Sequence, residues 1–173
     1  MDVIWLAIIP LNGRIWLIWK TSVKINVLKV SDQFIHCLVE NIGSQSSTYL
    51  TVICAMEEIS KREELWSELL QHTLMPSNPW VLCGDFNNVL HSEDRMGTPT
   101  TAVETQGFQN LIDVLQFTPL RSKGWQFTWC NKQEGSNRVY GKIDWALGDY
   151  DWIQIGHVED EFLNLNTHLF YFN

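Results

Sequence analysis

The sequence predicts one mixed α/β domain, in which several strands and two amphipathic helices share a single core. Its length of 173 residues suits one domain, and 45% of the residues are hydrophobic, nine of them tryptophans. Hydrophobic residues alternate with a period of two in some segments and with helical spacing in others. Helices and strands do not alternate regularly, so the pattern fits both an α/β and an α+β arrangement.

Strands are predicted in the first third of the chain and again on both sides of the second helix. Residues 23–27 alternate apolar with polar side chains, which is typical of a half-buried strand. Residues 48–56 are mostly apolar, which is typical of a central strand. The full set of predicted strands is 14–20, 23–27, 33–40, 48–56, 80–83, 125–130 and 138–147.

Two helices are predicted from capping signals and apolar spacing. The first begins at Ser60, where Ser60 and Glu63 have the spacing of a capping box, and it ends before Pro76. The second begins at Thr101, with Glu104 in the matching position. Its apolar residues recur at helical spacing: Phe108, Leu111, Ile112 and Leu115.

Charge and cysteine content exclude some classes of protein. Twelve basic and 20 acidic residues give a net charge of −8, which argues against a simple nucleic-acid binder but not against a nuclease, whose metal-binding carboxylates are also acidic. Cys37, Cys54, Cys83 and Cys130 have no C-x-x-C spacing, so a zinc site is not expected. We expect four reduced thiols in an intracellular protein, of the nucleus or the cytoplasm.

The apolar start of the chain, residues 1–11, indicates a buried strand. It has no basic region of the kind that precedes a secretory leader. It is also shorter than the roughly 20 apolar residues that cross a bilayer. We therefore expect neither a leader nor a membrane partner.

The most informative motif is Gly84-Asp85-Phe86-Asn87, which follows the predicted strand 80–83. Glycine lets the backbone approach a ligand closely. A carboxylate and a carboxamide two residues apart offer oxygen acceptors and amide donors, which could orient a water and hold a phosphate oxygen. The alternative is an ordinary Asx turn after a strand.

A second candidate is Asp144, which lies between Ile143 and Trp145 in an apolar strand. A buried carboxylate without a partner is costly, so a partner is expected. A histidine would explain it, because aspartate commonly orients a catalytic imidazole. The alternatives are an ion pair with Arg138 or Lys142, or exposure on a strand face.

Together these segments resemble the endonuclease/exonuclease/phosphatase family, and most of all the apurinic-type endonuclease domains of plant LINE (non-LTR) retrotransposons. The resemblance covers residues 13–148 and rests on GRIWLIW, KREELWSEL, PWVLCGDFNNVLHSEDR, FTWCN and RVYGKIDWAL, in this order. It implies a four-layered α/β sandwich, with two sheets packed face to face and helices outside. It also implies Mg²⁺-dependent cleavage of phosphodiester bonds, in DNA or another phosphodiester substrate.

The resemblance implies a role for each candidate residue. Asp85 would activate or orient the attacking water, and Asn87 would bind the phosphate. Asp144 would orient the catalytic histidine, for which His168 is the candidate; a surface histidine is the alternative. The Mg²⁺ ligands are not assigned, and the reverse-transcriptase region of the parent element is the implied protein partner.

The sequence also departs from the family pattern. The family's opening strand and the following Mg²⁺-binding glutamate have no counterpart, so residues 1–173 are expected to form one partial domain, incomplete at the N-terminus. Cys54 stands where the family has a tyrosine near the phosphate, and Thr167 stands where it has an aspartate. We therefore expect a hydrolase fold that is inactive as it stands; the alternative is a non-catalytic remnant or interaction scaffold.

Overall fold

The computed structural model describes residues 14–19, 21–44, 46–71 and 78–155, together with the backbone of residues 7–8 and 160–162. The predicted mixed α/β class is confirmed, because helices flank a six-stranded mixed sheet. None of the helices in these ranges is long and apolar enough to cross a membrane. The four cysteines form no disulfide.

Strands and helices follow one another along the chain without regular alternation. In chain order, the strands are β1 Ala7–Ile8, β2 Leu17–Ile18, β3 Val23–Val30, β4 Phe34–Asn41, β5 Ser47–Cys54, β6 Trp80–Asp85, β7 Arg95–Met96, β8 Thr118–Pro119, β9 Ser122–Gly124, β10 Trp129–Cys130, β11 Tyr140–Gly141, β12 Asp144–Gly148 and β13 Asp160–Phe162. The helices are α1 Ile59–Gln71, α2 Ala102–Leu115 and α3 Tyr150–Ile155.

The main sheet has the strand order β3-β4-β5-β6-β12-β8. Only the β5–β6 pair is parallel, and α1 lies in the connection between these two strands. A parallel pair needs such a crossover connection, whereas the antiparallel neighbours need none. A three-stranded sheet, β10-β11-β7, lies apart, and β1–β2 and β9–β13 form two smaller pairs.

The central strands bury both faces of the main sheet. In β6 the residues alternate, so that Trp80 and Leu82 belong to one hydrophobic cluster and Val81 and Cys83 to the other. The first cluster contains the buried faces of α1 and α2, where Trp66 stacks on Phe108 with ring centroids 5.3 Å apart. The helices α1 and α2 therefore cover one face of the sheet.

The opposite face is covered by the segment 14–19. Ile15 and Leu17 in this segment are buried, while Trp16 between them is exposed. They pack with sheet residues of β4, β5, β6 and β12, and Trp152 of α3 packs against the same cluster. This face also carries the candidate carboxylates described below.

The two capping predictions for the long helices have different outcomes. Glu104 accepts a hydrogen bond from the backbone amide of Thr101 at 2.7 Å, so the predicted start of α2 is confirmed. The predicted capping box at Ser60 is wrong, because α1 already begins at Ile59 and Ser60 lies in its first turn. The Ser60 hydroxyl instead donates to the carboxylate of Glu58.

Two predicted strands differ from the structure near the candidate site. Of residues 125–130, only Trp129–Cys130 is a strand, because the Thr128 amide bonds to Gly141. Residues 138–147 form two strands, β11 and β12. Between these strands, the Lys142 amide donates a hydrogen bond to the carbonyl of Asp94. The chain thereby passes from the three-stranded sheet into the main sheet just before Asp144.

Gly84 is a position where only glycine fits. Its φ is +134°, and a Cβ there would overlap the backbone carbonyl of Ile53 on β5. We expect Gly84→Ala to lower the free energy of unfolding by about 3 kcal/mol or more, since backbone strain adds to overpacking. Urea unfolding measures this loss.

Gly135→Ala is the matched control for this substitution. Gly135 also has a positive φ, of +58°, but nothing lies within 4 Å of a Cβ there. Its loss should be about 1 kcal/mol, the cost of the left-handed conformation alone. Equal losses for the two variants would contradict the steric account of Gly84.

Candidate functional site

Asp85 and Asp144 lie side by side at the ends of two paired strands. Asp85 is the last residue of β6 and Asp144 the first of β12, and the two are direct antiparallel partners. Directly opposed residues have Cα atoms about 4.5–5.5 Å apart and side chains on the same face. Cys54, the last residue of β5, pairs with Asp85 on its other side. We call Cys54, Asp85 and Asp144 the carboxylate row.

Asp85 is held by the turn that follows it. Its Oδ1 accepts a hydrogen bond from the backbone amide of Asn87 at 2.8 Å, so the Asx turn that was the alternative interpretation of this motif is present. Its own carbonyl accepts from the amide of Ala55 at 2.7 Å. Asn87 has a φ of +49°, an uncommon conformation that asparagine tolerates and that often occurs at functional sites. The turn therefore places the half-buried Asn87 side chain directly after the carboxylate row.

Asp144 is held by Thr128, a residue that the sequence analysis did not single out. The Thr128 hydroxyl accepts hydrogen bonds from the amides of Ile143 at 3.1 Å and Asp144 at 3.2 Å. Burial raises the pKa of the Asp144 carboxyl, and the Thr128 side chain partly opposes that increase. The available signal was a threonine between aromatic residues in FTW, since a buried hydroxyl needs partners.

Burial dominates the electrostatics of the two carboxyls. Burial, followed by the nearby charge of Asp85, raises the pKa of Asp144 to about 8. Burial also raises the pKa of Asp85, while the Asn87 amide and the guanidinium groups of Arg14 and Arg62 oppose that increase. Like charges this close disfavour double ionisation, so Asp144 is mostly protonated at pH 7.

Two arginines approach the carboxylate row, and neither was singled out from the sequence. Arg62 on α1 is buried, and its Nη1 donates to the carbonyls of Met56 and Glu57. Arg14 is exposed, and its Nη2 donates to the carbonyl of Ala55 at 3.4 Å. The signal for Arg14 was a basic residue at the start of an otherwise apolar strand.

The predictions about the surroundings of Asp144 have different outcomes. The alternative in which Asp144 is exposed on a strand face is wrong, because its exposed fraction is 0%. Arg138 donates to Gln133 and Tyr140, and Lys142 donates to Ser122. His168, the predicted catalytic histidine, lies outside the described residues, as does Thr167.

The carboxylate row does not by itself form a Mg²⁺ site. Mg²⁺ requires nearly octahedral coordination by oxygen, usually with ionised carboxylates among the ligands. Asp144 is fully buried, and Cys54 offers sulfur instead of oxygen. Within the described ranges, no group of three His, Cys, Asp or Glu side chains could hold a metal ion.

Comparison with solved structures identifies the architecture. The endonuclease domain of TRAS1, a telomere-specific non-LTR retrotransposon, superposes with a TM-score of 0.57 at 12% identity, over 79% of this chain and 60% of that one. A Bacteroides thetaiotaomicron protein of the endonuclease/exonuclease/phosphatase family gives 0.55 at 9% identity, over 84% and 60%. This chain has the endonuclease/exonuclease/phosphatase fold.

A third structure with this fold is D. rerio TDP2 complexed with a single-strand DNA product. It matches with a TM-score of 0.52 at 11% identity, over 84% of this chain and 62% of that one. The chain thus spans about half to three fifths of the length of the structures it matches. No family profile and no curated protein matches the sequence.

The raised pKa of Asp144 predicts how stability depends on pH. Between pH 4 and pH 8 the unfolded chain releases this proton and the folded chain retains it, so stability falls as pH rises. The slope reaches about 1.4 kcal/mol per pH unit for one group. Asp144→Asn cannot titrate, and we expect a flatter profile from urea unfolding at pH 5, 6, 7 and 8 in EDTA.

The control for this experiment is Asp113→Asn, which removes an exposed carboxyl on α2. It should keep the slope of the unsubstituted chain, because it leaves Asp144 and the residues around it unchanged. Identical slopes for the chain and for Asp144→Asn would show that Asp144 titrates normally in the folded protein.

Thr128 provides a separate test of how Asp144 is held. Thr128→Val leaves the buried amide of Asp144 and the half-buried amide of Ile143 without their acceptor. An unsatisfied buried group costs about 1–3 kcal/mol, so we expect a loss of stability of that order. The substitution also removes the hydroxyl group that lowers the pKa of Asp144 against the effect of burial, so that pKa should rise further. Thr128→Ser keeps the hydroxyl and should restore both properties. Carbon-13 NMR of the Asp144 carboxyl measures the shift, and an unchanged titration in Thr128→Val would overturn the assignment.

Proposed function

We propose that this chain is a phosphodiesterase-type domain whose carboxylate row acts on the phosphodiester backbone of DNA. The observation that carries the proposal is the direct pairing of Asp85 with Asp144, next to the Asn87 turn, in a sheet of endonuclease/exonuclease/phosphatase topology. Fold alone does not give function, so the proposal depends on this constellation.

Each residue has a role that its surroundings allow. The half-buried Asp85 carboxylate accepts a hydrogen bond from water and orients it for attack on phosphorus. The Asn87 carboxamide donates to a nonbridging phosphate oxygen, because amide N–H groups are good donors to oxyanions. Asp144 positions a histidine, which we propose to be His168. No step is assigned to a metal ion, since the described residues do not complete a site for one.

The biological setting is also a proposal. The similarity to a retrotransposon endonuclease domain supports DNA as the substrate and retrotransposition as the process. The sequence segments that resemble plant LINE elements support a plant element as the source. A reverse-transcriptase region of the same element would then be the protein partner.

We further propose that the chain as it stands hydrolyses phosphodiesters too slowly to detect. Cys54 occupies the carboxylate row next to Asp85, and a thiol is a weaker hydrogen-bond donor than a phenol. Asp144 is mostly protonated at pH 7, which weakens its ability to stabilise an imidazolium. Loss of one donor to a transition state typically costs about 10²–10³ in rate.

A non-catalytic interaction scaffold is the second candidate. It is favoured by apolar side chains exposed on β2 and β3, where Leu28 and Val30 are each nearly half exposed and Ile18 slightly more. Contiguous exposed apolar surface commonly marks a protein contact. Substitution of the carboxylate row would leave such a role intact.

The nicking of supercoiled plasmid tests the proposal that the chain has no detectable hydrolytic activity at neutral pH. We expect no nicking above background at pH 7 over a range of Mg²⁺ and Mn²⁺ concentrations. If the proton on Asp144 limits the rate, weak nicking should appear above pH 8, where the carboxyl ionises. Asp85→Ala is the matched control and should remain inactive at every pH.

Two results would change this assignment. Metal-dependent nicking at pH 7 that disappears in Asp85→Ala would show that the domain is competent despite Cys54. Nicking that persists unchanged in Asp85→Ala would come from a contaminant or another site, and would remove the support for the carboxylate row.

A further inference from the structure

Arg14 occupies a fixed position beside the carboxylate row. It directly precedes Ile15, which is buried against the same face of the sheet that carries Asp85 and Asp144. Its guanidinium donates to the carbonyl of Ala55, and the amide of Ala55 in turn donates to the carbonyl of Asp85. The buried neighbour Ile15 thus holds the backbone of Arg14, and the hydrogen bond to Ala55 holds its guanidinium.

The charge of Arg14 acts on two members of the carboxylate row. The guanidinium lowers the pKa of Asp85, against the larger effect of burial. Burial raises the pKa of the Cys54 thiol, and the Arg14 guanidinium opposes that increase as well. These effects agree with the geometry, which places the guanidinium next to the ends of β5 and β6.

Arg14 differs from the other arginine near the row. Arg62 is buried and donates to two backbone carbonyls, so its position is explained by holding the loop before α1. Arg14 is exposed, and its hydrogen bond to Ala55 is long, at 3.4 Å. An anion arriving from solvent can therefore reach the Arg14 guanidinium without unfolding the chain.

A phosphodiester near Asp85 needs such a cation. The phosphate is an anion, the chain has a net charge of −8, and an ionised Asp85 would repel the phosphate at short range. A guanidinium offers five N–H donors in a planar fork that matches two phosphate oxygens, which makes arginine well suited to this contact.

We propose that Arg14 and Asn87 form an oxyanion subsite that binds the nonbridging oxygens of a phosphodiester beside Asp85. Arg14 supplies the charge and a bidentate contact, and the Asn87 carboxamide supplies a neutral donor from the turn that follows Asp85. This subsite extends the proposed function by naming the residue that recognises the phosphate, and it does not require hydrolysis.

Equilibrium binding in EDTA tests the subsite without any catalysis. The probe is a fluorescein-labelled 12-nucleotide single strand at pH 7 and 50 mM salt, with anisotropy as the readout. Arg14→Gln should raise Kd by about tenfold to a hundredfold, because a charge-assisted hydrogen bond contributes about 1.5–3 kcal/mol. The Kd of Arg14→Lys should fall between those of the unsubstituted chain and Arg14→Gln, since lysine keeps the charge but lacks the planar fork of donors.

The control variant is Lys24→Gln, which removes one positive charge at the opposite end of the sheet. Lys24 pairs with Glu40, and Glu40 pairs with Ser47 at the start of β5, whereas Cys54 is at its end. Kd should change less than about twofold, because exposed charges farther apart than the Debye length are screened. A second control, Asp85→Asn, should tighten binding by removing the repulsion, which a general loss of folding would not do.

Competition identifies the source of the phosphate. Bis(4-nitrophenyl) phosphate should displace the labelled strand from the unsubstituted chain and do so poorly from Arg14→Gln. Inorganic phosphate should compete more weakly; stronger competition by inorganic phosphate would overturn the assignment to a phosphodiester. Undetectable binding of the strand by the unsubstituted chain, or equal Kd values for it and Arg14→Gln, would overturn the subsite itself.

The subsite and the proposed hydrolase can fail separately. Binding that is lost in Arg14→Gln supports the subsite even where the chain nicks no plasmid at any pH. Nicking that depends on Asp85 but is unchanged in Arg14→Gln supports the hydrolase and overturns the subsite. Circular dichroism melts of the variants confirm that each is folded before its Kd is compared.

Discussion

The pairing of β6 with β12 is the constraint on which the candidate site depends. It sets Asp85 opposite Asp144, although 59 residues separate them in the chain. A slip of one residue would move one carboxyl to the helical face of the sheet. The register is held from both faces, because Leu82 and Leu147 pack against the helices and Cys83 and Ala146 pack on the other side.

The same pairing creates an electrostatic conflict that the surrounding residues reduce. Two carboxyls face each other where burial already disfavours their charged forms. Asp144 avoids the repulsion by retaining its proton near neutral pH. The Thr128 hydroxyl accepts a hydrogen bond from the Asp144 amide at the start of β12. Asp85 is helped by the Asn87 amide and by the guanidinium of Arg14. Two apolar residues at these positions would therefore stabilise the fold more than the two carboxyls do. Perturbed pKa values of this kind are common at functional sites.

Local patterns predicted the parts of the fold that depend on nearby residues. The alternation of apolar residues found the strand beginning at Val23, and the Glu104 carboxylate capped α2 as its spacing indicated. The segment containing Thr128 reads as a strand locally, but its amide bonds to Gly141, which no local pattern reveals. The short helix α3 was missed because its capping residue Asp149 also bonds to the amide of Trp80, a contact across 69 positions.

The residues of the candidate site also differ in whether a local sequence pattern could identify them. Asp85 and Asn87 could be found from the turn after a buried strand, and Asp144 from its position in an apolar strand. Arg14 could not, because its proximity to Asp85 depends on how the segment 14–19 packs across the sheet. The net charge of −8 is a sum over the whole chain. It therefore does not show that one arginine lies beside the carboxylate row, where we propose that a phosphate binds. The location of charge, and not its sum, therefore decides whether an acidic chain can hold a polyanion, since close charges interact strongly and distant ones are screened.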